Sequence, residues 1–315
     1  MITLRGGGGV GPTVTALVNP VGAALVALEV GRLAVIQRYS SPGPPMGAGI
    51  TLAPWPNRVR NGRWIASGRP RQLNITERGR PNAIHGFVRH TVFEQVDEGR
   101  SDEVTLETQI GPEPGWEYSV QLCVTYRIVD VGLEVSYRAT NDGANIAPFA
   151  VGSHPYFTIG AENTNNLIIT VPAAVVLDND EMGIPVGRRP VVGDRDLRGG
   201  RRVGDLELGD CYTDLSVSNG RVTCTLATDD GHRLDVWADP AFGYWQLYAP
   251  ADFPGREGIV RAIAIEPMTA PPDALNSGEG LRWLFPGEEW QVTWGVSVHA
   301  APPAIGSHLP DPIDT

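Results

Sequence analysis

Residues 103–110 read EVTLETQI, residues 118–129 read YSVQLCVTYRIV, and residues 133–139 read LEVSYRA. Apolar and polar side chains alternate in all three. Successive strand residues point to opposite faces, so this pattern specifies an extended chain with one buried and one wet face. Three such runs in succession predict an antiparallel sheet. Further along, Asn219-Gly220 lies between the apolar-alternating residues 215–218 and 221–228, and this dipeptide favours a type I′ turn. Asp230-Gly231 then precedes residues 232–238, so a three-stranded meander is expected there. Glu289–His299 reads as a closing strand. No sustained helical period or internal repeat is visible. Residues 173–210 are rich in Gly, Pro, Asp and Arg and are expected to run as a long surface excursion. Residues 300–315 are Pro-rich and are expected to form a mobile tail. The expected architecture is all-β: one large antiparallel β-sandwich over residues 1–299.

Composition narrows the function. A hydrophobic fraction of 42% over 315 residues is ample for a core, and 38 Gly with 27 Pro suits a fold with many turns. The formal charge of −11 argues against nucleic acid and against an anionic membrane surface, both of which need a basic footprint. All 25 basic residues are Arg, so Schiff-base catalysis and a phosphate-loop lysine are excluded. The three cysteines, Cys123, Cys211 and Cys224, have neither disulfide-framework nor zinc-ribbon spacing. No basic-then-apolar leader and no long apolar run is present, so a cytoplasmic location is expected.

Four segments are too specific for ordinary loops. Residues 52–64, LAPWPNRVRNGRW, form a proline-stiffened loop presenting Asn57 and Arg58, whose guanidinium suits hydroxyl oxygens. Residues 82–89, NAIHGFVR, place His85 before a glycine. Residues 151–157, VGSHPYF, hold His154 in a stiff apolar setting, as an aimed proton donor requires. Residues 262–276, AIAIEPMTAPPDALN, lead a buried strand to Glu266, and Pro267 is expected to stop the pairing there. A carboxylate so placed is costly without a role or a partner, and an ion pair with an Arg is the competing explanation. Carboxylate plus imidazole is sufficient equipment for proton transfer near neutral pH.

Taken together and in order, NRVRNGRW, NAIHGF, GSHPYF and AIEPMTAPPDALN resemble the aldose 1-epimerase (galactose mutarotase) family, in wording closest to its bacterial branch. The resemblance implies a galactose mutarotase-like supersandwich with a cleft across one sheet and no metal or organic cofactor. It implies interconversion of the α and β anomers of a free aldose such as glucose or galactose. Glu266 would take the proton from the C1 hydroxyl and His154 would protonate the ring oxygen, while His85, Arg58 and Asn57 would bind the sugar. The family also uses an Asp to hold hydroxyls. Residues 208–215 read LGDCYTDL and offer Asp210 or Asp214, neither in the usual position. The implied partner is a monosaccharide, and the protein is expected as a monomer or homodimer. The alternatives are a non-catalytic carbohydrate-binding protein on the same sandwich, a metal enzyme with His85, His154 and Glu266 as ligands, and a glycoside hydrolase with Asp210 or Asp214 as second carboxylate.

Overall fold

In the computed structural model, which describes residues 1–9, 11–97 and 99–301, the alternating runs form neighbouring antiparallel strands. Glu103–Ile110 pairs with Val120–Val129, which pairs with Gly132–Asn141, which pairs with Glu289–His299. One row across this ladder, Leu106–Val124–Tyr137–Val292, is buried throughout. The next row, Thr105–Thr125–Ser136–Thr293, faces outward and is joined by hydroxyl contacts of 3.0 Å and 2.9 Å. The period of two thus separates core from solvent within one residue step. The sheet has nine strands; Arg233–Ala238, Val222–Ala227, Ile168–Thr170 and Arg201–Arg202 continue it beyond Glu289–His299.

A second sheet of eight strands faces it. Its order runs Pro185–Pro190, Ala173–Asn179, Cys211–Leu215, Tyr244–Tyr248, Ile263–Met268, Gly152–Ser153 and Thr51–Leu52, with Tyr156–Phe157 also paired to Ile263–Met268. Side chains of the two inner faces, including Tyr126, Val135 and Trp294 from one and Trp245, Leu247, Ile263 and Ile265 from the other, belong to one contiguous apolar cluster. A four-stranded N-terminal sheet adds Leu4, Val14, Ala16 and Val18 to that cluster. The fold is an antiparallel β-sandwich. Ala274–Ser277 is the one α-helix among the described residues, and no helix is long and apolar enough to cross a membrane.

Three local expectations need correction. Residues 173–210 contain the strands Ala173–Asn179 and Pro185–Pro190, which form one edge of the second sheet. Edge strand Pro185–Pro190 buries no residue fully, so it shows no apolar alternation to read. At Asn219-Gly220 both residues have positive φ (49° and 75°), as a type I′ turn requires, but only Ser218 and Arg221 bridge across it. Cys211–Leu215 belongs to the second sheet and Val222–Ala227 to the first, so the chain changes sheets at this turn. Pro267 does not end its strand either: pairing continues through Met268, because Pro lacks only the N–H. From residue 302 the expected tail lies outside the described residues.

Candidate active site

Alternation on two central strands of the second sheet builds the floor of the site. In Ile263–Met268, Ile263 and Ile265 point into the sandwich core, so Glu266 points the other way with Ala264 and Met268. In the neighbouring strand Trp245 and Leu247 face the core, and Gln246 stands directly opposite Glu266. Glu266 is 2% exposed. Its floor position is therefore dictated by strand parity.

His154 follows Gly152–Ser153. Its backbone N–H donates to Ile50 O, and its carbonyl accepts from the Gly49 N–H at 2.8 Å, so both groups are tied to one short loop. Gly47 lies close enough that an added Cβ would sit 3.3 Å from His154 Cδ2. The imidazole stacks on Tyr156 at 5.2 Å and meets the edge of His85 at 5.4 Å. His154 Nε2 lies 3.4 Å from Glu266 Oε1. The remaining polar atoms of the pair, His154 Nδ1 and Glu266 Oε2, are buried and hydrogen-bonded to nothing among the described residues.

Two loops bring the other candidates to this floor. Asn57 (φ 57°) and His85 (φ 63°) both have left-handed backbone, which costs a non-glycine residue about 1–2 kcal/mol. They hold each other: the His85 N–H donates to Asn57 O at 2.9 Å, and the Asn57 N–H donates to His85 Nδ1 at 3.3 Å. Because Nδ1 accepts, His85 is neutral and carries its proton on Nε2. Asn57 also donates to Gln246 Oε1 at 3.2 Å, while Gln246 donates to Gly209 O and Leu247 O. Arg58 forks onto Glu77 at 2.8 Å and 2.9 Å and reaches Asn57 Oδ1 at 3.2 Å. The PDALN residues act structurally: Asp273 accepts from the Arg60 N–H, and Asn276 donates to Arg63 O, so this segment clamps the loop that carries Arg58.

Gly86 must lie where it does. Its φ is +67°, and a Cβ there would be 1.8 Å from Ala53 O. Gly86→Ala is expected to lower unfolding free energy by about 2–4 kcal/mol, through backbone displacement and strain. Urea denaturation measures this; an unchanged midpoint would show that the His85 loop shifts freely.

The floor and the two loops enclose a cleft of about 1400 Å³. Asn57, Arg58, His85, His154, Asp210 and Glu266 all line it. Asp210 is paired with Arg195 at 2.8 Å. Asp214 is exposed at the end of Cys211–Leu215, with φ 51°, and does not border the cleft. Arg89, at the end of NAIHGFVR, also reaches the cleft, as do Gln246, Glu77 and Arg195, which nothing in their local sequence marks. Gln246 sits in YWQLY, where the only signal is a polar residue between two Tyr on one strand face.

Burial decides the protonation of the central pair. It drives the His154 imidazole from 6.5 down to about 4 and pushes the Glu266 carboxyl well above 4.5, opposed only by the Arg58 charge. His85 is likewise lowered, by burial first and then by His154, Arg58 and Arg89. The order of proton affinity is thus inverted: one proton stays with the His154–Glu266 pair from about pH 4 up to the raised Glu266 value. Linkage follows in sign. A raised Glu266 contributes its stability fully below 4.5, and that contribution is lost as pH climbs through the raised value. Glu266→Gln does not titrate, so its Tm should match wild type near pH 4 and exceed it increasingly towards pH 8. Calorimetry across that range tests this; parallel curves would contradict a buried, high-affinity carboxyl.

Comparison with known proteins places this geometry. The aldose 1-epimerase family model matches residues 10–297. The chain is 28% identical over 284 residues to the uncharacterized protein YihR of Escherichia coli (strain K12), covering 89% of each chain. Among solved structures, a GalM/aldose epimerase homologue from C. elegans superposes with a TM-score of 0.81 at 18% identity, over 95% of this chain and 99% of that one. Galactose 1-epimerase from Lactobacillus acidophilus NCFM gives 0.78 at 22% identity, over 94% and 93%. At these identities the superpositions speak for the fold.

Proposed function

The chain belongs to the aldose 1-epimerase family, and on that premise we propose that it interconverts the α and β anomers of a free aldose, with Glu266 and His154 as its proton-transferring pair. The observation that carries this reading is the 3.4 Å approach of His154 Nε2 to Glu266 Oε1, two buried groups that both line the cleft.

The sugar binds with its C1 hydroxyl against the Glu266 carboxylate and its ring oxygen O5 against His154. Glu266 removes the hydroxyl proton, the C1–O5 bond breaks, and His154 protonates O5, leaving the open-chain aldehyde. After rotation about C1–C2, O5 attacks the other face of C1. His154 takes the proton back from O5 and Glu266 returns its proton to O1. Atoms and protons balance over the cycle. His85 Nε2–H and Arg58 supply donors to sugar oxygens, and Asn57 holds His85 in the tautomer that donates.

The inverted proton affinities have a use here. Ring opening turns a carboxylate–imidazolium pair into a carboxylic acid and a neutral imidazole, the distribution that burial favours. The desolvated site therefore stabilises the pair most when the sugar is open, which is the high-energy point of the path. Anomer exchange of glucose and galactose, followed by NMR with and without the protein, tests the reading. Rates no faster than buffer with any aldose would remove it.

A further inference from the structure

A second concavity lies on the far side of the sandwich. The cleft opens over the outer face of the eight-stranded sheet, whereas a groove of about 340 Å³ runs over the outer face of the nine-stranded one. Register sets its floor. Glu103, Arg127, Glu134, Gly295 and Trp237 form one outward-facing row across neighbouring strands. Gly295 leaves a notch in that row, and the Trp237 indole occupies it: a Cβ on Gly295 would lie 2.4 Å from Cζ2 of the ring. The indole therefore leans from its own strand over the next. Thr125, Ser136 and Thr293 continue the floor, and Asp239 is fixed beside them by the Thr293 N–H, which donates to it at 2.7 Å.

Val236 and Ala238 face the core, so Trp237 points away from it, yet it is only 5% exposed. The guanidinium of Arg221 covers it, with its central carbon 3.6 Å from the ring centroid. Arg221 itself is exposed, just after the Asn219-Gly220 turn, and its side chain has no hydrogen bond or ion pair among the described residues. A lone cation–π contact at an exposed site is weak, so this cover is readily exchanged. The indole Nε1–H is also without an acceptor among the described residues. The ring thus serves as a flat apolar surface and not as a hydrogen-bonding strut.

The rim of the groove selects its ligand by charge. Glu103, Glu134 and Asp239 border it together with Arg127 and Arg221, and Arg127 is paired with Glu134. An anion meets an excess of carboxylates there, while hydroxyl groups find acceptors and donors alike. A pyranose sugar joins such a hydroxyl rim to an apolar C–H face. We propose that the groove is a second sugar-binding site, in which a neutral pyranose takes the place of Arg221 on the Trp237 ring. Glu134, across from Gly295, and Asp239, two residues beyond Trp237, then accept from its hydroxyls, and the displaced guanidinium donates to them. The site is independent of the chemistry in the cleft, from which the apolar core of the sandwich separates it.

Methyl β-glucopyranoside and methyl β-galactopyranoside are the probes, because a locked glycoside binds without anomer exchange. The readout is the Trp237 indole N–H resonance, assigned by its loss in Trp237→Phe. No Trp borders the cleft, so occupancy there does not mimic the signal. At least one glycoside should shift the resonance saturably, with a Kd of about 1–10 mM. Arg221→Ala bares the ring and should tighten that Kd by about 2- to 5-fold, the value of an exposed cation–π contact. Methyl β-glucuronide, which carries a carboxylate, should bind more weakly than its neutral counterpart. Anomer exchange in Arg221→Ala should stay within about twofold of wild type, as expected of distant sites. No saturable shift up to about 100 mM of either neutral glycoside overturns the proposal, as does a Kd that Arg221→Ala leaves unchanged or weakens. Either result leaves the mutarotase reading as it stands, since anomer exchange is measured separately.

Discussion

Glu266→Gln is expected to reduce the acceleration of anomer exchange by about 10²–10⁴-fold, the range that a positioned general base contributes. The amide keeps the size of the side chain and its place opposite Gln246 but cannot take the C1 hydroxyl proton. Glu266 is 2% exposed on a central strand, and the cleft carboxylates Glu77 and Asp210 are committed to Arg58 and Arg195. KM should change much less than kcat, since the lost interaction is made in the transition state. Polarimetry on freshly dissolved α-glucose, or on a better substrate, reads the effect. A rate within tenfold of wild type would remove Glu266 as the base. The same variant should be more thermostable at pH 8, so the loss would not be mistaken for unfolding.

His154→Gln should cost a comparable 10²–10⁴-fold, because O5 cannot leave C1 without a proton. Its most informative consequence is non-additivity: the double variant should be hardly slower than either single one, since the two residues act on one proton cycle. Costs that multiply would separate the two roles. The pH dependence carries the same logic. Below about 4 the pair gains a second proton and Glu266 can no longer act as base, so kcat/KM falls on the acid side. Above the raised Glu266 value the pair loses its only proton and O5 has no donor. The acid limb is thus expected near pH 4; a midpoint near 6.5, the ordinary imidazole value, would contradict burial as the controlling influence.

The sequence disclosed these features unequally, and for physical reasons. Strands with one wet and one dry face alternate, so Glu103–Ile110 and Glu289–His299 were readable residue by residue. Pro185–Pro190 leaves four of its six residues exposed and buries none fully, and an edge strand that buries little leaves no periodic trace. The sheet change at Asn219-Gly220 was equally hidden, because turn chemistry specifies the local bend and not the partner of the strand before it. His154 and Glu266 stood out through stiff apolar surroundings. Gln246 did not, because its importance comes from Asn57, 189 residues away. Likewise Asp210 and Asp214 look equivalent in LGDCYTDL, but strand geometry turns one to the cleft and leaves the other at an exposed strand end.

Glu289–His299 lies in the middle of the nine-stranded sheet, clasped between Gly132–Asn141 and Arg233–Ala238. Until it arrives, both of those neighbours present bare hydrogen-bonding edges that can recruit other chains. A ribosome makes this strand after nearly everything it joins, so the large sheet cannot close while the chain is still being synthesised. Folding must then be largely post-translational and rich in contacts between distant segments, which is the slow and aggregation-exposed regime. Premature termination before residue 289 should give an insoluble product, although every residue of the cleft would already have been made.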